Sequence, residues 1–416
     1  MKVVIIAGGK GTRISSVSSE IPKAMIPVND KPVLEYQIEL AKRYGFTDIL
    51  LIIGYLGDKI RSYFGNGDQR GVHIEYHEET IPLGTAGALA ELKDLLTEDF
   101  FVFYSDTVMD IALDQMLIFH RNHHSDATLF LHPNDHPYDS DLVKIDSHNH
   151  ISGFYPKPHP ENLVCRNLVN AALYILSPRA LSYIPQGYRS DFGKHIFPKL
   201  LAGGLHLFGY VSPEYIKDMG TPERYEKVCN DVITGKVARL NKQNSRAAVF
   251  LDRDGVVSKE IDLLSRPEQL ELIDGVAEAI NYINQKGYLA VIVTNQPVIA
   301  RNLCSVEELE YIHNKLETLL GTQRAYLDAI YYCPHHPDKG YPEERSEYKI
   351  DCSCRKPKPG MLLQAAKDWN INLSESYMIG DRNTDLLAGN NAGVKQSILI
   401  EQNQPFALLD IVRKLI

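Results

Sequence analysis

The sequence predicts an α/β protein of two domains in tandem, spanning residues 1–240 and 246–416. Three observations carry this. At 416 residues the chain exceeds the size at which a single hydrophobic core usually stops growing. Short β-rich runs alternate with helical patterns through both halves, the signature of largely parallel sheets. The alternation breaks once, at the polar run Asn241-Lys242-Gln243-Asn244-Ser245-Arg246, and then restarts.

In the first half, Val3–Ala7, Asp48–Ile53, His73–His77 and Phe100–Tyr104 read as strands, and Lys31–Tyr44 and Thr85–Leu96 as helices. A helical stretch runs from Pro222 to Leu240. In the second half, Ala247–Leu251 and Tyr288–Thr294 read as strands and Gly275–Gln285 as a helix. Ser305 and Glu308 form a capping box that opens another helix.

Composition narrows the function. Hydrophobic residues are 44% and charged residues 23%, so each half can bury a core. A formal charge of -9 argues against a nucleic-acid partner, though local loops can still bind phosphates. The first apolar run is too short for a signal-peptide core, and no run reaches membrane-spanning length, so the expectation is a cytoplasmic protein with no membrane partner. Six cysteines in so long a chain do not suggest a disulfide scaffold. Cys165, Cys229 and Cys304 read as small core residues. The oligomeric state stays open, with a homo-oligomer among the alternatives.

Gly8-Gly9-Lys10-Gly11-Thr12-Arg13 follows the first strand directly. Glycines let backbone N–H groups approach a polyphosphate, and Arg13 adds a fork of donors. A plain glycine turn competes with this reading until the other motifs are counted. These are Pro22-Lys23-Ala24-Met25-Ile26-Pro27-Val28, Leu83-Gly84-Thr85-Ala86-Gly87, Asp106 just past a strand, and Asp218-Met219-Gly220-Thr221-Pro222.

Together they resemble the sugar-1-phosphate nucleotidyltransferase family over roughly residues 1–235. The resemblance implies a Rossmann-like sheet, with Gly8, Gly9, Gly11, Thr12, Arg13 and Lys23 on the triphosphate and Gly84, Thr85 and Gly87 against the base. It implies Mg²⁺ held by Asp106 and Asp218. It matches Lys157 to a lysine that grips the sugar phosphate, although Pro156 stands where the family has Glu, and Asn170 to a sugar contact. His120, His123 and His124 lie on a polar stretch and read as solvated surface.

In the second half, Phe250-Leu251-Asp252-Arg253-Asp254-Gly255 ends a strand in two carboxylates that alternation puts on one side. Val293-Thr294-Asn295-Gln296, Arg355-Lys356-Pro357-Lys358-Pro359-Gly360 and Gly380-Asp381-Arg382-Asn383-Thr384-Asp385 follow. In order and strand-end placement these resemble the haloacid dehalogenase superfamily. The resemblance implies Asp252 as nucleophile, Asp254 as acid and base, and Thr294, Asn295 and Lys356 on the phosphoryl group. Asp252, Asp254 and Asp381 then hold Mg²⁺, with Asp385 supporting them.

Cys333 and His335, with Cys352 and Cys354, are four soft ligands in two close pairs, which suits a closed, structural Zn²⁺ site. His336 ranks below His335 on family spacing. This zinc-binding loop resembles that of the D,D-heptose 1,7-bisphosphate phosphatases and the similar histidinol phosphatases. Pro297-Val298 replace the Ser-Gly common there. Arg355 is the candidate for a second substrate phosphate.

The run Pro32-Val33-Leu34-Glu35-Tyr36-Gln37 resembles the D-glycero-α-D-manno-heptose 1-phosphate guanylyltransferases. The two resemblances imply one pathway, with the bisphosphate trimmed to heptose 1-phosphate and this converted with GTP to GDP-heptose. The substrates are then small sugar phosphates and a nucleoside triphosphate. Two alternatives stay open. One is a histidinol-type phosphatase beside a hexose-1-phosphate transferase; the other makes the N-terminal half a non-catalytic sensor.

Overall fold

The computed structural model describes residues 1–9, 20–338, 340 and 344–416. Gly11, Thr12 and Arg13 therefore lie outside the described residues. Two compact units form. The first comprises Met1–His132, Asp141–Pro156 and Val169–Asn241; the second comprises Pro133–Ser140, Lys157–Leu168 and Lys242–Ile416.

The first unit is built around the strand Val3–Ala7, an apolar, β-branched run suited to burial on both faces. It pairs in parallel with Asp48–Ile53 and with Phe100–Tyr104, and Asp48–Ile53 pairs in parallel with His73–Glu78. Val169–Leu176 runs antiparallel to Phe100–Tyr104 and extends the sheet, which has nine strands among the described residues. Leu34, Ile38 and Ala41, on one face of the helix Val33–Arg43, pack in the same core as Val3, Ile5 and Ala7. The register pairs Ala7 with Ile53, and Ile53 with Glu78, so Gly8, Gly54 and Glu79 emerge at one edge.

Three expectations need correction here. Thr85–Leu96 is not a helix; only a 3₁₀ turn over Gly87–Glu91 forms. The backbone there is committed elsewhere: Ser190 N donates to Leu83 O at 2.8 Å, and Ala86 N to Ser190 O at 3.0 Å. The stretch from Pro222 becomes two helices, Pro222–Ile233 and Lys236–Arg239, because Gly235 turns left-handed at φ 71° between them. His120 is not on the surface. On the helix Leu113–Asn122 it shares the buried face of Leu113 and Met116, and its Nδ1 meets Thr128 Oγ1 at 2.8 Å. His123 is half-buried against Phe119, and His124 is exposed.

The second unit carries five parallel strands among the described residues. Their order is Ala329–Cys333, Leu289–Asn295, Ala248–Leu251, Tyr377–Gly380 and Gln396–Leu399. Alternation puts Val249 and Leu251 in a core with Val276, Ile280 and Ile312, while Ala248 and Phe250 join Met361, Leu362 and Ala365 on the other face. Both faces being covered explains the continuous apolar strands. Truncating the fully buried Phe250 to alanine should cost about 3–5 kcal/mol. The capping box forms as read: Ser305 Oγ accepts from Glu308 N at 3.1 Å, and Glu308 Oε2 from Ser305 N at 2.7 Å.

The sequence reading gives Pro133–Ser140 and Lys157–Leu168 to the first domain, whereas the structure groups them with the second. They pack on the helix Val306–Thr322. Asn167 N donates to buried Glu317 Oε2 at 2.6 Å, and Thr318 Oγ1 donates to Cys165 O at 3.1 Å. Cys304 is buried, and Cys165 and Cys229 are partly so. Among the described residues no helix is long and apolar enough to cross a membrane.

Candidate active sites and metal cluster

In the first unit Gly8 leaves the central strand beside Gly54 and Glu79, where a Cβ on Gly8 would collide with Glu79 Oε2. Lys23, in a short turn after Pro22, bonds the carboxylate of Asp106. Asp218 ends a strand paired antiparallel with Thr107–Asp110, and Met219 N donates to Asp106 O at 2.9 Å. The fold thus brings Lys23, Asp106 and Asp218 together from three distant stretches. Burial opposes charge on Asp218, but the Arg224 guanidinium at 2.8 and 3.0 Å, the Gly220 N–H and nearby Lys23 hold its carboxyl below the usual range. Arg224 was missed by sequence reasoning; its position in the first turn of the helix that follows Asp218 was the available signal.

The glycines of the later motif meet protein on at least one side. A Cβ on Gly84 would collide with Ser190 O, and one on Gly87 would approach Tyr188 O at 2.7 Å. Thr85 Oγ1 donates to Asp191 Oδ2 at 3.1 Å and accepts from Phe192 N at 3.0 Å. Asn170 is half-buried, and its backbone N–H donates to Asp141 O at 3.0 Å. Lys157 belongs to the second unit, where its Nζ donates to the carbonyl and carboxylate of Asp139 at 2.8 and 2.9 Å.

In the second unit every functional group follows the carboxyl end of a parallel strand, where open α/β sheets gather their sites. A cavity of about 270 Å³ is lined by Asp252, Asp254, Thr294, Asn295, Arg355 and Lys356, with Pro297 and Val298 on its wall. Lys356 is buried, with Nζ 2.8 Å from Asp252 Oδ1 and 2.6 Å from Asp385 Oδ1. Burial pushes the Asp252 carboxyl up to about 7; Lys356 opposes this, and the charges of Asp385 and Asp254 add to it.

Oxygens of Asp252, Asp381 and Asp385 lie within 4.8 Å of one another. Asp252 and Asp385 share Lys356, Asp381 has only Arg382 Nε at 3.9 Å, and buried Asp381 Oδ1 has no hydrogen-bond partner among the described residues. That excess of hard, negative oxygen fits a divalent cation. Asp254, expected among the ligands, is turned elsewhere: the fully buried Arg253 forks onto it at 2.9 and 2.8 Å, and Gln296 Nε2 donates to it at 2.9 Å. Burial raises its carboxyl, yet Arg253, Gln296 and Ser258 together hold it below the usual range. Arg253 Nη1 also donates to His313 Nε2 at 3.2 Å.

Thr294 and Asn295 line the cavity and also bond neighbouring residues. Thr294 Oγ1 accepts from Gln296 Nε2 at 2.9 Å, and Asn295 bonds the Lys356 backbone. Arg253, Gln296 and His313 were missed by sequence reasoning. Arg253 and Gln296 stood inside quoted motifs, but His313 looked like any helical histidine.

Cys333, His335, Cys352 and Cys354 converge. The sulfurs stand 3.1–3.4 Å apart, and His335 Nδ1 is 3.4 Å from Cys354 Sγ. Four soft donors around one point fit a closed tetrahedral metal site. His336 points away, its Nε2 lying 3.8 Å from Asp338. Arg355 Nη1 donates to His335 O at 3.0 Å, tying the cluster to the cavity wall.

Comparisons with known proteins match each half of the chain to a different family. The nucleotidyl transferase family model matches residues 2–235, and the HAD-hydrolase-like model matches residues 353–404. The chain is 42% identical over 160 residues to a D-glycero-beta-D-manno-heptose-1,7-bisphosphate 7-phosphatase of Pasteurella multocida, covering 38% of this chain and 84% of that protein. It is 31% identical over 254 residues to a UTP–glucose-1-phosphate uridylyltransferase of Synechocystis, covering 58% and 65%. It is 32% identical over 234 residues to a mannose-1-phosphate guanylyltransferase of Mycobacterium tuberculosis, covering 56% and 64%. The chain belongs to the nucleotidyl transferase family and joins to that domain a phosphatase of the HAD type, so it is a bifunctional enzyme.

Proposed function

We propose that the enzyme makes nucleotide-activated heptose in two steps. The phosphatase removes the C7 phosphate of D-glycero-D-manno-heptose 1,7-bisphosphate. The transferase then joins heptose 1-phosphate to GMP from GTP, giving GDP-heptose and pyrophosphate. The observation that carries this is the 42% identity, over 84% of its length, to a heptose-bisphosphate 7-phosphatase, on a chain whose other domain is a nucleotidyltransferase. One domain's product is then the other's substrate. The guanylyltransferase relative favours GTP, and the co-substrate is consistent with a cytoplasmic enzyme.

In the phosphatase, Asp252 attacks the C7 phosphorus and becomes an aspartyl-phosphate, while Lys356 offsets the developing charge. Asp254 would act as base for the water that hydrolyses the acyl phosphate, and would serve the departing C7 oxygen as acid only once bound substrate phosphate draws Arg253 from it and lets it take up a proton. Asp252, Asp381 and Asp385 would hold Mg²⁺, which supplies charge neutralisation at the phosphoryl group. Cys333, His335, Cys352 and Cys354 would hold Zn²⁺ as a structural clip.

In the transferase a sugar-phosphate oxygen attacks the α-phosphorus of GTP and pyrophosphate leaves, so the protein supplies alignment and charge. Lys23 and Arg13 would grip the triphosphate, and Asn170 the sugar phosphate. Asp106 and Asp218 would hold a second Mg²⁺.

The test is incubation with heptose 1,7-bisphosphate, GTP and Mg²⁺. Orthophosphate, pyrophosphate and a mass equal to GDP-heptose are expected. Orthophosphate without nucleotide-sugar, or a product formed faster from UTP, would overturn the joint assignment.

A further inference from the structure

Arg253 is fully buried, and each of its guanidinium nitrogens has a partner. Nε and Nη2 fork onto Asp254 at 2.9 and 2.8 Å, and Nη2 also donates to Gln296 Oε1 at 3.0 Å. The nitrogen outside the fork, Nη1, donates to His313 Nε2 at 3.2 Å. A guanidinium carries donors only, so this bond takes the Nε2 lone pair and requires a neutral ring. His313 is itself held in place. It stands on the helix Val306–Thr322 beside the buried Ile312, Leu316 and Glu317, and its ring lies 5.6 Å from that of Tyr332. The turn that follows is pinned twice: Lys315 Nζ donates to Pro267 O at 2.6 Å, and Glu317 Oε2 accepts from Asn167 N at 2.6 Å.

The residue type matters chemically. A carboxylate in this place would compete with Asp254 for the Arg253 charge, and an apolar side chain would leave a buried N–H without an acceptor. A neutral imidazole takes one hydrogen and leaves the charge to Asp254. We propose that His313 is a positioning residue of the phosphatase: by accepting from Nη1 it sets where the Arg253 guanidinium lies, and through it where the Asp254 carboxyl stands to exchange protons with substrate and water. The inference rests on the acid–base role proposed for Asp254 and is independent of which sugar carries the phosphate.

The test compares two esters on the full chain with Mg²⁺. Phenyl phosphate has a leaving oxygen that gains from an acid, whereas p-nitrophenyl phosphate releases a stabilised phenolate that needs none. The value of kcat/KM reports the step that cleaves each ester. His313→Leu and His313→Met replace the acceptor with apolar side chains. Each should lower kcat/KM for phenyl phosphate about tenfold, the worth of one hydrogen bond from a charged donor, and for p-nitrophenyl phosphate less than about twofold. His313→Gln supplies a neutral acceptor and should bring phenyl phosphate back to within about threefold of wild type. Asp254→Asn is the reference and should show the same selective loss at larger size. Equal loss on both esters, no loss, or no rescue by glutamine overturns the role of His313. Failure of both apolar variants to fold makes the residue a structural brace and also overturns it. If Asp254→Asn slows both esters equally, the acid role of Asp254 falls, and this inference falls with it.

Discussion

The side-chain amide of Asn295 holds the backbone of Lys356 from both sides: Nδ2 donates to its carbonyl oxygen and Oδ1 accepts from its N–H, each at 3.0 Å. The two residues end different segments, 61 positions apart. The clamp fixes the chain from which Lys356 reaches Asp252. Asn295→Ala removes two bonds worth about 1 kcal/mol each and should lower phosphate release about tenfold to a hundredfold. Nucleotidyl transfer should be unchanged; steady-state rates of both reactions provide the check.

Division of labour follows from the separate sheets that carry Asp252 and Asp106. Asp252→Asn should abolish phosphate release and leave pyrophosphate release intact, and Asp106→Ala should do the reverse. Loss of both activities in either folded variant would contradict two independent sites.

The soft-ligand cluster should hold about one zinc per chain by elemental analysis, as a closed four-ligand site requires. Stripping the metal should loosen the loop between Cys333 and Cys354 and lower phosphatase rates by misplacing Lys356. A zinc-free preparation with full phosphatase activity would refute the clip.

His313 gives the second unit an acid-sensitive stability. Burial, reinforced by Arg253, lowers its folded pKa from 6.5 to about 3. Between those values the unfolded chain binds the extra proton, so stability should fall as pH drops below about 6.5, by up to about 1.4 kcal/mol per pH unit. His313→Gln keeps an acceptor for Arg253 and should flatten that slope in urea melts at pH 4 to 7.

Arg355 lines the cavity while donating to His335 O. If it holds the distal phosphate of a bisphosphate, Arg355→Ala should slow bisphosphate turnover about tenfold or more and a simple phosphate ester far less. Lysine should rescue it only partly, because the guanidinium fork is lost. Equal slowing of both substrates would remove that role.

Much of both sheets was legible because it rests on local pattern: Val3–Ala7, Asp48–Ile53 and Phe100–Tyr104 are apolar runs between turn signals, and the structure keeps those bounds. The helix read at Thr85–Leu96 gives way to turns, and where it should begin Leu83 and Ala86 bond the backbone of Ser190, a partner more than a hundred positions away that no window contains.

By itself the sequence determined which residue types end which strands: glycines after Ala7, carboxylates after Leu251 and Gly380, and the paired cysteines beside Lys356. These are matters of spacing, and spacing survives in one dimension. Only the tertiary structure decided what those groups face. It turned Asp254 toward Arg253, aimed Asp385 at Lys356, spent Asn295 on the Lys356 backbone, set Glu79 over Gly8, and folded Lys157 into the second unit. Most of these contacts join segments far apart in the chain, and the neighbours Asp254 and Arg253 are held together by Gln296 from another strand end. They form because burial leaves each charge and each N–H only the partners that packing brings within reach.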